Sequence, residues 1–209
     1  MSDWTFETLP DFDRHVRAHL PWYDMVTDAV ALVARHYIPP GGLVYDIGAS
    51  TGNVGRAIGA TLEEREARLV AIEPCRNLAR RYQAPGSVVE ADALAFDFAP
   101  HDVSILFLTL MFLPVAERAA LVARLRRLLR PGGALIVVDK CMPPAGYEAI
   151  VHLRLTLAGK VRAGVSAEEI VEKEIALSGV QRPIDIEELG PGALEVFRFG
   201  DFAAWIIPA

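Results

Sequence analysis

A chain of 209 residues with 52% hydrophobic and 23% charged residues has the balance of a globular protein able to bury a sizeable core, most simply as one domain. Its net charge of −6 argues against a general electrostatic grip on nucleic acid and leaves room only for a local basic patch, so direct nucleic-acid binding is not expected. Two cysteines (Cys75, Cys141) make neither a disulfide framework nor a metal knuckle, an N-terminus carrying Asp3, Glu7, Asp11 and Asp13 is no signal peptide, and no apolar run is long enough to span a membrane; a reducing, cytoplasmic setting is expected.

Residues 1–22 are polar with scattered aromatics, Trp4, Phe6, Phe12 and Trp22. His15 and His19 lie one helical turn apart. A metal pair needs a third ligand, and none is evident, so they read as solvated or lid residues and no metal is expected. Asp24 is placed to cap a helix over Met25–Tyr37, where Val26, Val30, Val33 and Tyr37 recur at helical spacing. Pro39-Pro40-Gly41-Gly42 stops that helix.

Leu43 to Ile47 is a short apolar run, the mark of a buried strand. Gly48, Gly52 and Gly55 follow, with a helical segment from Val54 to Leu62. A strand feeding a Gly-rich turn and a helix is a ligand loop, because glycine admits close backbone approach and a helix N-terminus offers free N–H groups. The spacing is not G-x-G-x-x-G, and Asp46 sits just before Gly48. A carboxylate there would repel a pyrophosphate. It suits a ligand with an ammonium group, such as S-adenosylmethionine (SAM), and the loop resembles motif I of class I SAM-dependent methyltransferases.

Arg68–Ile72 reads as a second strand, ended by Glu73-Pro74 because proline cannot continue the ladder. Glu73 then stands at the strand tip, where open α/β sheets place ligands and where an acid can accept from ribose hydroxyls. Cys75 reads as a wall residue rather than a nucleophile. Asn77–Tyr82 looks helical, Ser87–Glu90 reads as a third strand, and Asp92 follows either as a turn residue or as an acceptor for an adenine amino group. Val103–Leu110 suits a central strand buried on both faces. Ala116–Leu129 is a periodic helix with Leu121, Leu125 and Leu128 on one face; Arg118, Arg124, Arg126, Arg127 and Arg130 read as a solvated basic face, with an RNA contact as the lesser alternative. Arg130-Pro131-Gly132-Gly133 ends it, and Ala134–Val138 begins another strand closed by Asp139-Lys140. Residues 145–178 are helical in pattern. Glu195–Phe199 and Phe202–Ile207 form a hairpin about Gly200-Asp201.

Longer stretches resemble the carboxy-SAM synthase group, a methyltransferase-fold family acting in tRNA wobble-uridine modification. They are Pro21-Trp22-Tyr23-Asp24, the run Val44 to Gly52, the run Thr109 to Arg118, the run Arg130 to Lys140, and Phe199-Gly200-Asp201-Phe202. The resemblance implies a single domain over 1–209, with 1–40 as an N-terminal helical lid. It implies a seven-stranded, Rossmann-like α/β sheet, mostly parallel with a C-terminal antiparallel hairpin. It implies SAM contacts at Tyr23, Gly48, Ala49, Ser50, Glu73, Pro74, Asp92 and Ala93, to which Asp46, Gly52 and Thr109 are added as candidates. Dimerisation is likewise implied.

The chain departs from that group in places. Glu174 stands where an arginine would grip the extra carboxylate of carboxy-SAM, and Phe107 and Met111 stand where an Asn and a Gln are expected. The chain is also shorter between residues 178 and 194. Arg154, Arg162 and Arg182 are alternative anion grips. The expected function is therefore methyl transfer from SAM to a small-molecule acceptor or a tRNA-pathway substrate. The alternatives are carboxy-SAM formation from SAM and prephenate, and a non-catalytic SAM-binding subunit. No catalytic base is assigned, although Tyr23, Asp139 and Lys140 are within reach of the expected site.

Overall fold

The structure is a computed structural model and describes residues 12–209; Trp4, Phe6 and the first part of the expected lid lie outside the described residues. In chain order the elements are α1 (Phe12–His19), α2 (Tyr23–Tyr37), β1 (Leu43–Ile47), α3 (Asn53–Glu64), β2 (Arg68–Ile72), α4 (Arg76–Ala79) and β3 (Ser87–Val89). There follow β4 (His101–Phe107), a 3₁₀ turn at Leu110–Phe112, α5 (Val115–Leu128), β5 (Leu129–Lys140), α6 (Tyr147–Arg162), α7 (Ala167–Ala176), a second 3₁₀ turn at Ile186–Leu189, β6 (Leu194–Phe199) and β7 (Phe202–Pro208).

The strands form one seven-stranded sheet in the order β3-β2-β1-β4-β5-β7-β6, parallel from β3 to β5 and antiparallel at β7 and β6. This is the sheet that the strand pattern and terminal hairpin predict. Because side chains alternate across a strand, each central strand serves two cores. Val44, Ile105, Ile136 and Val138 pack with Val26, Val30, Ala34 and Ile58 on the α2–α3 face. Tyr45, Ile47, Leu106, Leu135 and Val137 pack with Leu121 and Leu125 of α5 on the other.

The boundaries differ from expectation in physically simple ways. Asp24 does not cap α2; it lies inside the first turn, where it accepts from Arg17 Nε at 2.8 Å, and the N-cap is Trp22. The helical pattern of residues 145–178 is borne out as two helices, with Gly164 at a positive φ of 93° between α6 and α7. β5 begins at Leu129, earlier than expected, since Leu129 already pairs with His101 before an irregularity in the ladder.

The expected basic face of α5 is largely consumed by the protein itself. Arg118 is 0% exposed and donates to the carbonyls of Leu113, Met111, Arg182 and Pro183. Arg124 donates to the carbonyls of Ala93 and Leu94, and Arg126 to those of Leu189 and Pro191. These arginines tie loops to α5 instead of offering charge to a polyanion. Loss of Arg118 removes the donor shared by the carbonyls of Leu113, Met111, Arg182 and Pro183 and the cation that faces Glu188 at 3.6 Å. Arg118→Ala is expected to cost about 3 kcal/mol of stability and to lower Tm by roughly 6–12 °C, read by calorimetric melting.

Candidate active site

One cavity of about 330 Å³ lies across the C-terminal rim of the sheet. The β1–α3 loop forms its base. Gly48 (φ +76°) turns the chain, and its N–H donates to Ile72 O at 2.8 Å. A Cβ at Gly48 would come within 2.5 Å of Thr109 Oγ1, so only glycine lets Thr109 lean on the loop, where its hydroxyl donates to Ile47 O at 2.8 Å. Ser50 also takes a positive φ, 51°, and is fixed there by donating its backbone N–H to Glu73 Oε2 at 2.7 Å.

Of the candidates, Tyr23, Asp46, Gly48, Ala49, Ser50, Glu73, Pro74, Asp92, Ala93 and Thr109 all line the cavity. Gly52 does not. Its φ of +94° starts α3, and a Cβ there would lie 2.7 Å from that of Ala84, so its place in the loop is steric. Cys75 lines the wall, as expected, and its N–H donates to Glu73 Oε1 at 2.9 Å. Asp92 plays the turn role as well, accepting from Leu94 N at 2.9 Å.

The electrostatics of the rim are unusual. Asp46 is 1% exposed, and its Oδ2 has no hydrogen-bond partner among the described residues. Burial first, and the neighbouring Glu73 carboxylate second, push its pKa up to about 7, against one backbone hydrogen bond from Gly55. Burial likewise raises Glu73, opposed by the N–H groups of Cys75 and Ser50. The Ser50 hydroxyl also lacks a partner among the described residues. A buried carboxylate oxygen left unpaired beside a second acid is a costly arrangement for the protein alone, and it fits a cationic ligand.

Asp139 does not reach the cavity. It is 0% exposed and accepts from the backbone N–H groups of Thr109, Leu110, Met111 and Lys140. It holds the turn after β4 against β5, and so sets the cavity floor from beneath. Tyr23 does line the cavity, edge-on to Phe107 with ring centroids 5.4 Å apart, but burial pushes its hydroxyl pKa well above the usual range, which unsuits it as a base near neutrality. Lys140 reaches the cavity.

The opposite end of the cavity lies under α6 and α7. Lys140, Lys160, Lys173 and Glu174 line it. Glu174, expected to repel an anion, is held by Lys160 Nζ at 2.8 Å and faces Lys140 at 3.8 Å. Two cations thus flank one carboxylate, and the charge of Lys173 also acts on it. Arg154, Arg162 and Arg182 are exposed and do not line the cavity. Burial, then the charge of Lys160, pulls the Lys173 pKa down to about 8. Lys140 was expected within reach of the site, but its meeting with Lys160 and Lys173 was illegible in the sequence because the fold brings the three together from β5, α6 and α7.

The N-terminal helix covers the rim. Phe12, His15, Val16 and His19 line the cavity, and Asp13 anchors α1 by accepting from Thr51 Oγ1 at 2.7 Å. His19 is buried rather than solvated, and its Nε2 lies 3.0 Å from Glu169 Oε1 of α7. His15 Nε2 accepts from Lys173 Nζ at 2.9 Å.

Comparison with known proteins agrees with this geometry. A methyltransferase-domain sequence family matches residues 44–133. The carboxy-S-adenosyl-L-methionine synthases of two Pseudomonas fluorescens strains, Pf0-1 and SBW25, are each 31% identical over 190 residues, covering 85% of this chain and 77% of theirs. Among solved structures, magnesium protoporphyrin IX methyltransferase from Synechocystis PCC 6803, with bound SAH, superposes with a TM-score of 0.59 at 16% identity, over 95% of this chain and 94% of that one. The cyclopropane synthase MmaA2 from Mycobacterium tuberculosis gives 0.57 at 15% identity, over 83% and 61%. The fold is that of the class I methyltransferases, and the identity to the synthases carries the relationship further: the chain belongs to the carboxy-S-adenosyl-L-methionine synthase family of SAM-dependent enzymes.

Proposed function

We propose that this chain holds SAM over the tips of β1, β2 and β3 and transfers a one-carbon group between it and a small anionic molecule held beneath α6 and α7. The observation that carries the reading is the division of charge along one rim. Asp46, Glu73 and Asp92 lie toward the β1–β2–β3 side, and Lys140, Lys160 and Lys173 lie toward β5 and its covering helices. In this reading Asp46 takes the ammonium, Glu73 the ribose hydroxyls and Asp92 the adenine amino group. Gly48, Ala49 and Ser50 let the ligand approach, with Gly52 setting the loop behind them, while Tyr23, Pro74, Ala93 and Thr109 form the walls. Residues up to 40 act as the lid of a single domain, and a content of two cysteines, too few for a disulfide framework, supports a reducing, cytoplasmic setting.

SAM supplies a carbon already activated by its sulfonium. The chain's contribution is therefore mainly orientation within a cavity walled by apolar side chains such as Phe12, Val16, Phe107 and Phe112. The three lysines fix the anion by charge-assisted hydrogen bonds. Glu174 holds Lys160 and Lys140 in place rather than repelling the anion.

A second reading is carboxy-SAM formation. It is supported by the name of the relatives and by the neutralised Glu174, which removes the repulsion that would otherwise oppose a carboxylated ligand. Mass spectrometry of the denatured supernatant separates the readings. SAM or its demethylated product favours methyl transfer, whereas a carboxylated SAM whose formation depends on added prephenate favours the second. Release of neither, with no SAM binding by calorimetry, overturns both.

Two outcomes test the site. Asp46 must be ionised to pair with an ammonium, so SAM affinity is expected to rise as pH climbs through about 7, with a proton released on binding below that pH. Asp46→Asn is expected to weaken SAM binding about tenfold or more and to abolish this pH dependence, both measured by calorimetry in buffers of different ionisation enthalpy. On the other side, Lys140→Gln combined with Lys160→Gln is expected to raise KM for the anionic substrate about tenfold or more while leaving the Kd for SAM within about twofold.

A further inference from the structure

Where α1 meets α7, three side chains that the proposed transfer does not use as contacts come together. His15 and His19 project from one face of α1, their ring centroids 4.4 Å apart. Glu169 reaches them from α7, 150 residues away in the chain. We propose that His15, His19 and Glu169 form a binding site for a divalent transition metal of the zinc class.

The donor set is two imidazoles and a carboxylate, which zinc-like ions prefer. The two histidines are spaced i, i+4 on a helix, so their rings share one side, and the third donor comes from a separate element. One donor atom from each residue can be chosen so that all three lie within 4.8 Å of one another. A tetrahedral ion with bonds of about 2.05 Å needs donors about 3.4 Å apart. Closing the difference takes a side-chain movement of up to about 1.4 Å. Glu169 has that freedom, being 53% exposed on the side chain, while its backbone is fixed by donating to Ser166 Oγ at 3.1 Å.

Two further observations point to a ligand here. His19 Nδ1 is buried and has no partner among the described residues. His15 Nε2 already accepts from a cation, the Lys173 ammonium at 2.9 Å. A metal ion would take the place of that ammonium and leave Lys173 facing the cavity. Since His15 and His19 line the cavity and Glu169 belongs to α7, the ion would also tie α1 to α7 and hold the lid closed. A fourth coordination position would remain for water or an anionic group. This inference is independent of the SAM reading.

The test uses the full chain, stripped with chelator and titrated with Co²⁺ alone and then Zn²⁺ alone, without SAM or a second substrate. The expected result is one equivalent of Co²⁺ with the intense visible bands of a four-coordinate site, displaced by Zn²⁺. Glu169→Gln is expected to weaken binding about tenfold and His15→Ala about a hundredfold. Lys173→Gln, which removes the competing ammonium, is expected to tighten binding several-fold. Glu169→Gln lies at an exposed position, and circular dichroism melting checks that each variant folds. Absence of stoichiometric binding in the folded chain, or affinities unchanged by Glu169→Gln and His15→Ala, overturns the proposal. SAM calorimetry on the same samples reports separately, so loss of one reading leaves the other standing.

Discussion

Asp46 and Glu73 are two carboxylates buried side by side at the tips of adjacent strands, and no lysine or arginine side chain hydrogen-bonds to either among the described residues. Glu73 is partly compensated by the N–H groups of Ser50 and Cys75, which fasten the glycine loop to β2. Asp46 keeps one oxygen unpaired among the described residues. Desolvation without a counter-charge disfavours the ionised form. The chain therefore carries a cost in the free state that a cationic ligand would relieve.

Much of the remaining architecture positions that pair. The parallel ladders β3-β2-β1-β4-β5 bring the strand tips to one rim. The buried Asp139, gathering four backbone N–H groups, turns the chain after β4 so that Thr109 can rest against Gly48. Arg118 binds the 182–183 segment to α5 through the carbonyls of Arg182 and Pro183. Asp139 thus holds its turn through backbone N–H groups, while Arg118 combines backbone carbonyls with the Glu188 carboxylate at 3.6 Å. Above the rim, α1 is anchored through Asp13 to Thr51 and through its histidines to α7. The cavity is consequently enclosed by elements distant in sequence.

The sheet and the acid side of the cavity were legible because their signals are local. A buried strand, a turn rich in glycine and a proline after an acid each act within a few residues, and the order of Asp46, Glu73 and Asp92 reproduces their order along the rim. The cationic side was legible only at Lys140, which closes β5 over the rim. Lys140, Lys160 and Lys173 stand on three elements, and nothing in their spacing announces a shared cavity. The same holds for Glu169, whose approach to His15 and His19 depends on how α6 and α7 fold back. Arg118 misled for another reason. A helical arginine near a helix's N-terminal turn normally faces water, and the carbonyls of Arg182 and Pro183 and the Glu188 carboxylate, all distant in sequence, help make its burial favourable. Asp139 was placed at the correct strand end, but four amide donors beneath the turn draw its side chain into the core instead of toward the cavity.

The account stands most directly on the ionisation of Asp46. Selective ¹³C labelling of aspartate carboxyls would follow its titration by NMR in the free protein and with saturating SAM. A midpoint near 7 in the free protein, falling by more than about one unit when SAM is bound, is the result expected of a carboxylate awaiting an ammonium. A midpoint in the ordinary carboxylate range without ligand, or one that SAM leaves unmoved, would contradict it.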